Sequence, residues 1–325
     1  MSERFAPGWT GADASAMKSG CASNRDEAKY EPSIDPLVAI VLGVAGFVVG
    51  LAIMFYESRH SDPSAEFVDS TSGWVWMVLI AAQVAFWAVV AIPLWSGLRN
   101  RHHRYTACLD GSRIRSVLFA ALFVAVPAAA LRVTPPMNGL SDPLYYHQTK
   151  IAVISVLSWG TVVLPALVGM FWVYTIADRL APEGDVEDYT DVRDSLQRLL
   201  KILGAVIALS TLSTGALLQA IAEKAPKSAP PLSELALLWG GGATVLLMAA
   251  YVPAYLKVQA WGKALVTSLL GERALGSDEW FDWDARRKTL DAYLQIDQGL
   301  LDRLESGIFI LAPLLAAAVS VAVPH

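Results

Sequence analysis

The sequence predicts an all-α integral membrane protein with seven transmembrane helices, the N-terminus cytoplasmic and the C-terminus outside, and a cytoplasmic helical hairpin between helices six and seven. Three observations carry this expectation. The 325 residues are 54% hydrophobic and only 17% charged, with a mean hydropathy of +0.44, which lies outside the soluble globular class. Seven apolar runs approach or exceed the length that crosses a hydrocarbon core of about 30 Å at about 1.5 Å per residue. The basic residues between those runs are sided: the segments assigned inside carry 4, 5, 4 and 7 of the 25 Lys and Arg, and those assigned outside carry 1, 2, 2 and 0. An excess of Lys and Arg marks the cytoplasmic side, and a wrong number of spans would scramble the alternation.

Residues 1–36 are rich in Ser, Gly, Ala and charge and read as a disordered cytoplasmic tail, followed by a transmembrane domain over 37–323. The first apolar run begins only at Leu37, after Glu31 and Asp35, so no cleaved secretory signal is expected. Span one is Leu37 to Phe55, with Gly46 and Gly50 in a small-xxx-small arrangement that lets another helix approach closely. Glu57 to Gly73 reads as a short outer loop. Span two, Trp74 to Trp95, carries tryptophans at both ends, where indole rings favour the headgroup boundary. Gly97 to Arg115 reads as a cytoplasmic loop with five arginines. Span three, Ser116 to Leu131, contains Pro127 and stops at Arg132 and the Pro135-Pro136 pair. An outer loop with Tyr145, Tyr146, His147 and Lys150 leads to span four, Ile151 to Ala177. Asp191 to Leu200 is expected to start a helix on the cytoplasmic surface that turns into span five, Leu200 to Ala222, with Leu196, Leu199 and Leu200 on its apolar side. Span six is Leu232 to Leu256 and span seven Gly307 to Val323.

Between these last two lies the one long polar segment, 257–306, with seven Lys and Arg. It reads as two helices. Val258, Trp261, Leu265 and Leu269 follow helical spacing on the first arm, and Leu290, Leu294, Leu301 and Leu304 on the second, from Asp284 to Leu304. Gly271 and Gly276 bound the turn. Each arm has one apolar face, which the partner arm or the membrane would cover. Pro253 and Pro313 lie just inside the two flanking spans and are candidate hinges.

No catalytic, cofactor-binding or metal site is expected. The histidines are His60, His102, His103, His147 and His325, all in expected loops or at the terminus. His60, Asp62 and His147 share the outer face and read as solvated loop residues before they read as metal ligands, while His102 and His103 among arginines suit contact with anionic lipid. Cys21 and Cys108 fall on the side assigned to the cytoplasm, where thiols stay reduced, so no disulfide is expected. No basic stripe for nucleic acid is present.

Charged residues inside spans mark ion and proton pathways, and the span centres have none. Hydroxyls remain. Ser155, Ser158 and Thr161 gather on span four beside Pro165, and Ser210, Ser213 and Thr214 on span five; these six could line a pathway. The simpler reading is that they bond between helices or back to their own carbonyls. Gly240, Gly241 and Gly242 could break span six or simply allow close packing. The functional expectation is a non-enzymatic multi-pass protein of the cell membrane that senses or relays a cytoplasmic signal, in one version as a membrane-perturbing effector. A transporter or channel for a small solute or ion is the alternative. Expected partners are the lipid bilayer, a cytoplasmic protein or small-molecule ligand at 257–306, and a second copy of the chain; no cofactor is expected.

Overall fold

The computed structural model describes residues 34–56, 58, 62–109, 114–116, 118–121, 123, 141–181, 185–224, 232–271, 280–296 and 315. Among these, 94% are helical and none is in a strand. Five helices are long and apolar enough to cross a membrane: Pro36–Phe55, Thr71–Arg104, Thr149–Leu180, Val186–Glu223 and Gly240–Leu270. They coincide with expected spans one, two, four, five and six. Residues 114–116, 118–121 and 123, at the start of expected span three, are helical, as is Leu315; the rest of spans three and seven, with Pro313, lies outside the described residues.

Helix α1 (Pro36–Phe55) begins with Pro36 in its first turn and Asp35 as its cap, whose carboxylate accepts from the Leu37 amide at 2.8 Å. Helix α2 (Asp62–Asp69) replaces part of the expected outer loop, because Phe67 and Val68 find a buried surface there. Ser70 caps α3 (Thr71–Arg104) by accepting from the Gly73 amide at 3.1 Å. A Cβ on Gly73 would sit 2.1 Å from the Phe67 carbonyl oxygen, so only glycine permits this tight entry. The helix does not stop at Trp95: the expected arginine loop is helical as far as Arg104, since a single glycine at 97 costs only about 1 kcal/mol and cations favour a helix C-terminus. A short turn, α4 (Thr106–Leu109), follows.

Helix α5 (Ser141–Ser158) passes through a π-helical turn (Trp159–Val163) into α6 (Leu164–Leu180), and so begins well before the expected start of span four. Helix α7 (Val186–Lys224) is one rod of 39 residues. The expected helix over Asp191 to Leu200 is present and continues into span five, but its placement on the membrane surface is not: Leu196, Leu199 and Leu200 are buried against neighbouring helices, which leaves no apolar face to lie on a membrane. Helix α8 (Leu232–Leu270) likewise runs unbroken through Pro253 and Gly240 to Gly242, and ends where Gly271 takes φ +67°. Helix α9 (Trp280–Leu294) forms the second arm, starting four residues before the expected Asp284 and closing before Leu301 and Leu304, which lie outside the described residues.

Glycine and alanine set the first interface. Gly46 and Gly50 of α1 lie on α3 so closely that a Cβ would fall 2.9 Å from the Ala85 Cα and 2.7 Å from the Ala81 Cα, respectively. Helices α3 and α7 run antiparallel and are joined at three levels. Ser72 donates to Glu223 at one end, Gln83 Nε2 donates to the Leu209 carbonyl at 3.2 Å midway, and Arg104 pairs with Asp188 at 2.9 Å at the other end. The bundle therefore has a basic end, with Arg104, Lys257 and α9, and an opposite end, with Ser72, Phe67, His147 and Lys150.

Candidate functional site

At the basic end α3, α6, α7 and α8 continue beyond their most apolar stretches and hold a polar cluster. Asp185 accepts from the Asp188 amide at 2.9 Å and fixes the first turn of α7. Asp188, with 3% of its side chain exposed, accepts from Arg104 Nη2 at 2.9 Å and from the Tyr105 hydroxyl at 3.1 Å. Asp191 lies 3.6 Å from the same guanidinium. Burial first, and then the Asp188 carboxylate, push the Tyr105 phenol up, so it stays a neutral donor. Lys257 of α8 pairs with Asp178 of α6 and lies 5.8 Å from the Tyr174 ring.

The chain after α9 is keyed into this cluster. The Ile296 amide donates to the Asp291 carbonyl at 2.9 Å and the Gln295 amide to the Ala292 carbonyl at 3.2 Å, the paired bonds of a Schellman ending. Gln295 takes the left-handed position, φ 55°, where glycine is usual. The turn drives Leu294 and Ile296 inward, and both are fully buried. Arg193 Nη1 of α7 donates to the Leu294 carbonyl at 2.9 Å, and Gln259 Nε2 of α8 donates to the Ile296 carbonyl at 3.1 Å and to the Tyr255 hydroxyl at 2.7 Å. Arg193 thereby brings a cation to the carbonyl end of α9, the favourable pole of the helix dipole. Space for the segment comes from Gly262, where a Cβ would stand 2.9 Å from Ile296 Cγ1 and 2.9 Å from the Tyr189 ring. Tyr189 in turn meets Trp261 edge to face at 5.7 Å.

The two apolar faces expected on the hairpin are thus covered mainly by α7 and by the end of α9: Val258, Trp261, Leu265 and Leu294 are buried, Leu290 partly so, and Leu269 is exposed. No family model, curated protein or solved structure matches the chain.

The six hydroxyls take separate roles. Ser155 is exposed, while Ser158 and Ser213 are buried. Thr161 donates to the Leu157 carbonyl at 2.6 Å and Thr214 to the Ser210 carbonyl at 2.9 Å, each one turn back on its own helix. Ser210 donates to Gln83 Oε1 at 3.4 Å and so joins α7 to α3. Among the described residues no group of three or more His, Cys, Asp or Glu side chains is placed to hold a metal ion.

Two expectations are corrected. Cys108 is fully buried and disulfide-bonded; the chain's other cysteine, Cys21, lies outside the described residues. The expectation of free thiols rested on the compartment alone, not on geometry. His147 is not a solvated loop residue but is helical and fully buried, because α2 and the start of α3 cover it. Sequence reasoning also missed Arg193, Gln259, Gly262 and Ile296. Only Gly262, a glycine on an otherwise apolar helical arm, carried a local signal of close approach.

Proposed function

We propose that the protein is a non-enzymatic relay of the cell membrane in which the arm 280–296 is the receiving element. It has seven spans, the basic end in the cytoplasm and the C-terminus outside, as the asymmetry of Lys and Arg implies. The observation that carries the reading is the seat of Leu294 and Ile296 between α7 and α8, two helices that continue without a break into apolar spans. A cytoplasmic protein or small molecule that binds the released arm in preference to the seated one shifts the balance between them, and the vacated crevice then changes how α7 meets α8. That five of the six hydroxyls are buried or bonded to helix groups favours a relay over a conduit.

The test compares wild type with Gly262→Leu, which fills the seat, by hydrogen exchange in lipid nanodiscs. Exchange should rise over 280–296 and also within 244–256 of α8. A rise confined to 280–296 would mean that the spans do not hear the arm, and the relay reading would fall. Liposomes carrying the wild-type protein should show no constitutive flux of ions or small solutes; steady flux would promote the channel alternative.

A further inference from the structure

The opposite end of the bundle holds a group that neither packing nor the relay explains. His147, in α5, is fully buried, and neither ring nitrogen has a hydrogen-bond partner. Its ring lies 5.7 Å from Phe67 of α2 and 5.5 Å from Trp76 of α3, edge to face with the latter at 84°. One turn further along α5, Lys150 donates to the carbonyls of Met54 and Tyr56 at the end of α1. An imidazole with both nitrogens unsatisfied is costly where phenylalanine would fill the space without penalty.

Among the described residues the surroundings supply no counter-charge. Helix α3 brings no ionisable side chain to its first two turns, and α1 brings Tyr56. On α2, Asp62 stands at the first position, and Glu66 and Asp69 are exposed. Glu223, at the end of α7, accepts from Ser72. Asp142 stands earlier in α5 itself. Among the described residues the charge that bears on the ring is the Lys150 ammonium, of the wrong sign to welcome a proton.

We propose that His147 is a proton-binding site on which closure of this end depends: a proton taken from solvent gives the ring two N–H donors with no acceptor and a charge beside Lys150, and so expels it from between Phe67 and Trp76 and frees the first part of α5 from α2. Burial first, and then Lys150, lower the imidazole from its ordinary 6.5 to about 4 in the closed state. A base whose affinity for protons is lower closed than open contributes stability that is complete above its ordinary value and is lost as pH falls from there towards the closed value. With those two values, opening increases about thirtyfold between about pH 7.5 and about pH 5.

The experiment is hydrogen exchange of the full chain in nanodiscs at these two pH values, corrected for the intrinsic pH dependence of exchange, for wild type and His147→Phe. Amides over 143–150 should exchange about thirtyfold faster at the lower pH in wild type, and with little change in the variant. An equal pH response in both proteins overturns the proposal. Should the variant not fold, exchange at the imidazole C2 carbon reads the titration of His147 in the wild type directly. A midpoint near 4 supports the site, and one at 6.5 or above removes it.

Discussion

Asp188 holds a negative charge where water scarcely reaches, and its worth follows from what it would leave behind. Its side chain is 3% exposed and that of Arg104 16%. Neutralising one partner of a buried pair costs about 3–5 kcal/mol when it strands the other charge, with Asp191 at 3.6 Å from the guanidinium holding the loss of Asp188 to the low end, whereas replacing both with apolar groups is often close to neutral. Asp188→Asn should therefore destabilise the protein by about 3 kcal/mol, and Arg104→Met with Asp188→Leu by much less. Thermal unfolding of wild type, Arg104→Met, Asp188→Leu and the double variant in one detergent measures the coupling, and strictly additive losses would show that the two charges do not depend on each other. The acidic first turn of α7 could be read in the sequence from Glu187 and Asp188, as could the basic last turn of α3, but not that they meet. Gln295 was legible in neither respect, since its left-handed conformation belongs to a position where glycine would have announced the turn.

At the scale of elements, the π-helical turn shows how one helix repairs another. Pro165 has no N–H to give to the carbonyl four residues before it, that of Thr161. The Leu164 amide reaches back five residues to Trp159 instead, and the Trp95 indole of α3 donates to the Thr161 carbonyl at 3.1 Å. Trp95 is thus more than a boundary residue. Trp95→Phe should cost about 1–2 kcal/mol by leaving that carbonyl without a donor. In a Pro165→Ala background the loss should shrink, because the new amide can take over the bond. Unfolding midpoints of the single and double variants test this, and an unchanged loss in the alanine background would refute the repair. Helix existence and capping were readable from local pattern, with Asp35 capping α1 as a clear case. Helix length was not. The stretch 97–104 reads as a loop by hydropathy and helix is expected only from Asp191 in 186–199, yet both stretches are helical throughout because neighbouring helices cover one face of each.

For the molecule as a whole, two observations about sidedness pull apart. The Lys and Arg asymmetry draws on all 25 basic residues and underlies the proposal that the Arg104 end is cytoplasmic. The disulfide at Cys108 belongs to an oxidising compartment. The disulfide makes its own prediction: Cys108 should resist a thiol reagent under denaturing conditions until a reductant is added, and labelling before reduction would show that the bond does not form in cells. A bond that survives rapid acid quenching of intact cells would count against the proposed cytoplasmic placement of this end. A helical membrane protein was legible because composition and run length report directly on the solvent. The seat of Ile296 was not, because it depends on α7, far away in the chain. That separation also orders assembly in time. Gly46 and Gly50 can meet Ala81 and Ala85 as soon as α3 leaves the ribosome, since the two helices are near neighbours. Arg104 must wait for Asp188 across 84 residues, roughly 4–17 s at a synthesis rate of about 5–20 residues per second. During that delay its guanidinium lacks its folded partner, so the α1–α3 pair can be complete while the basic end is still open to whatever binds it first.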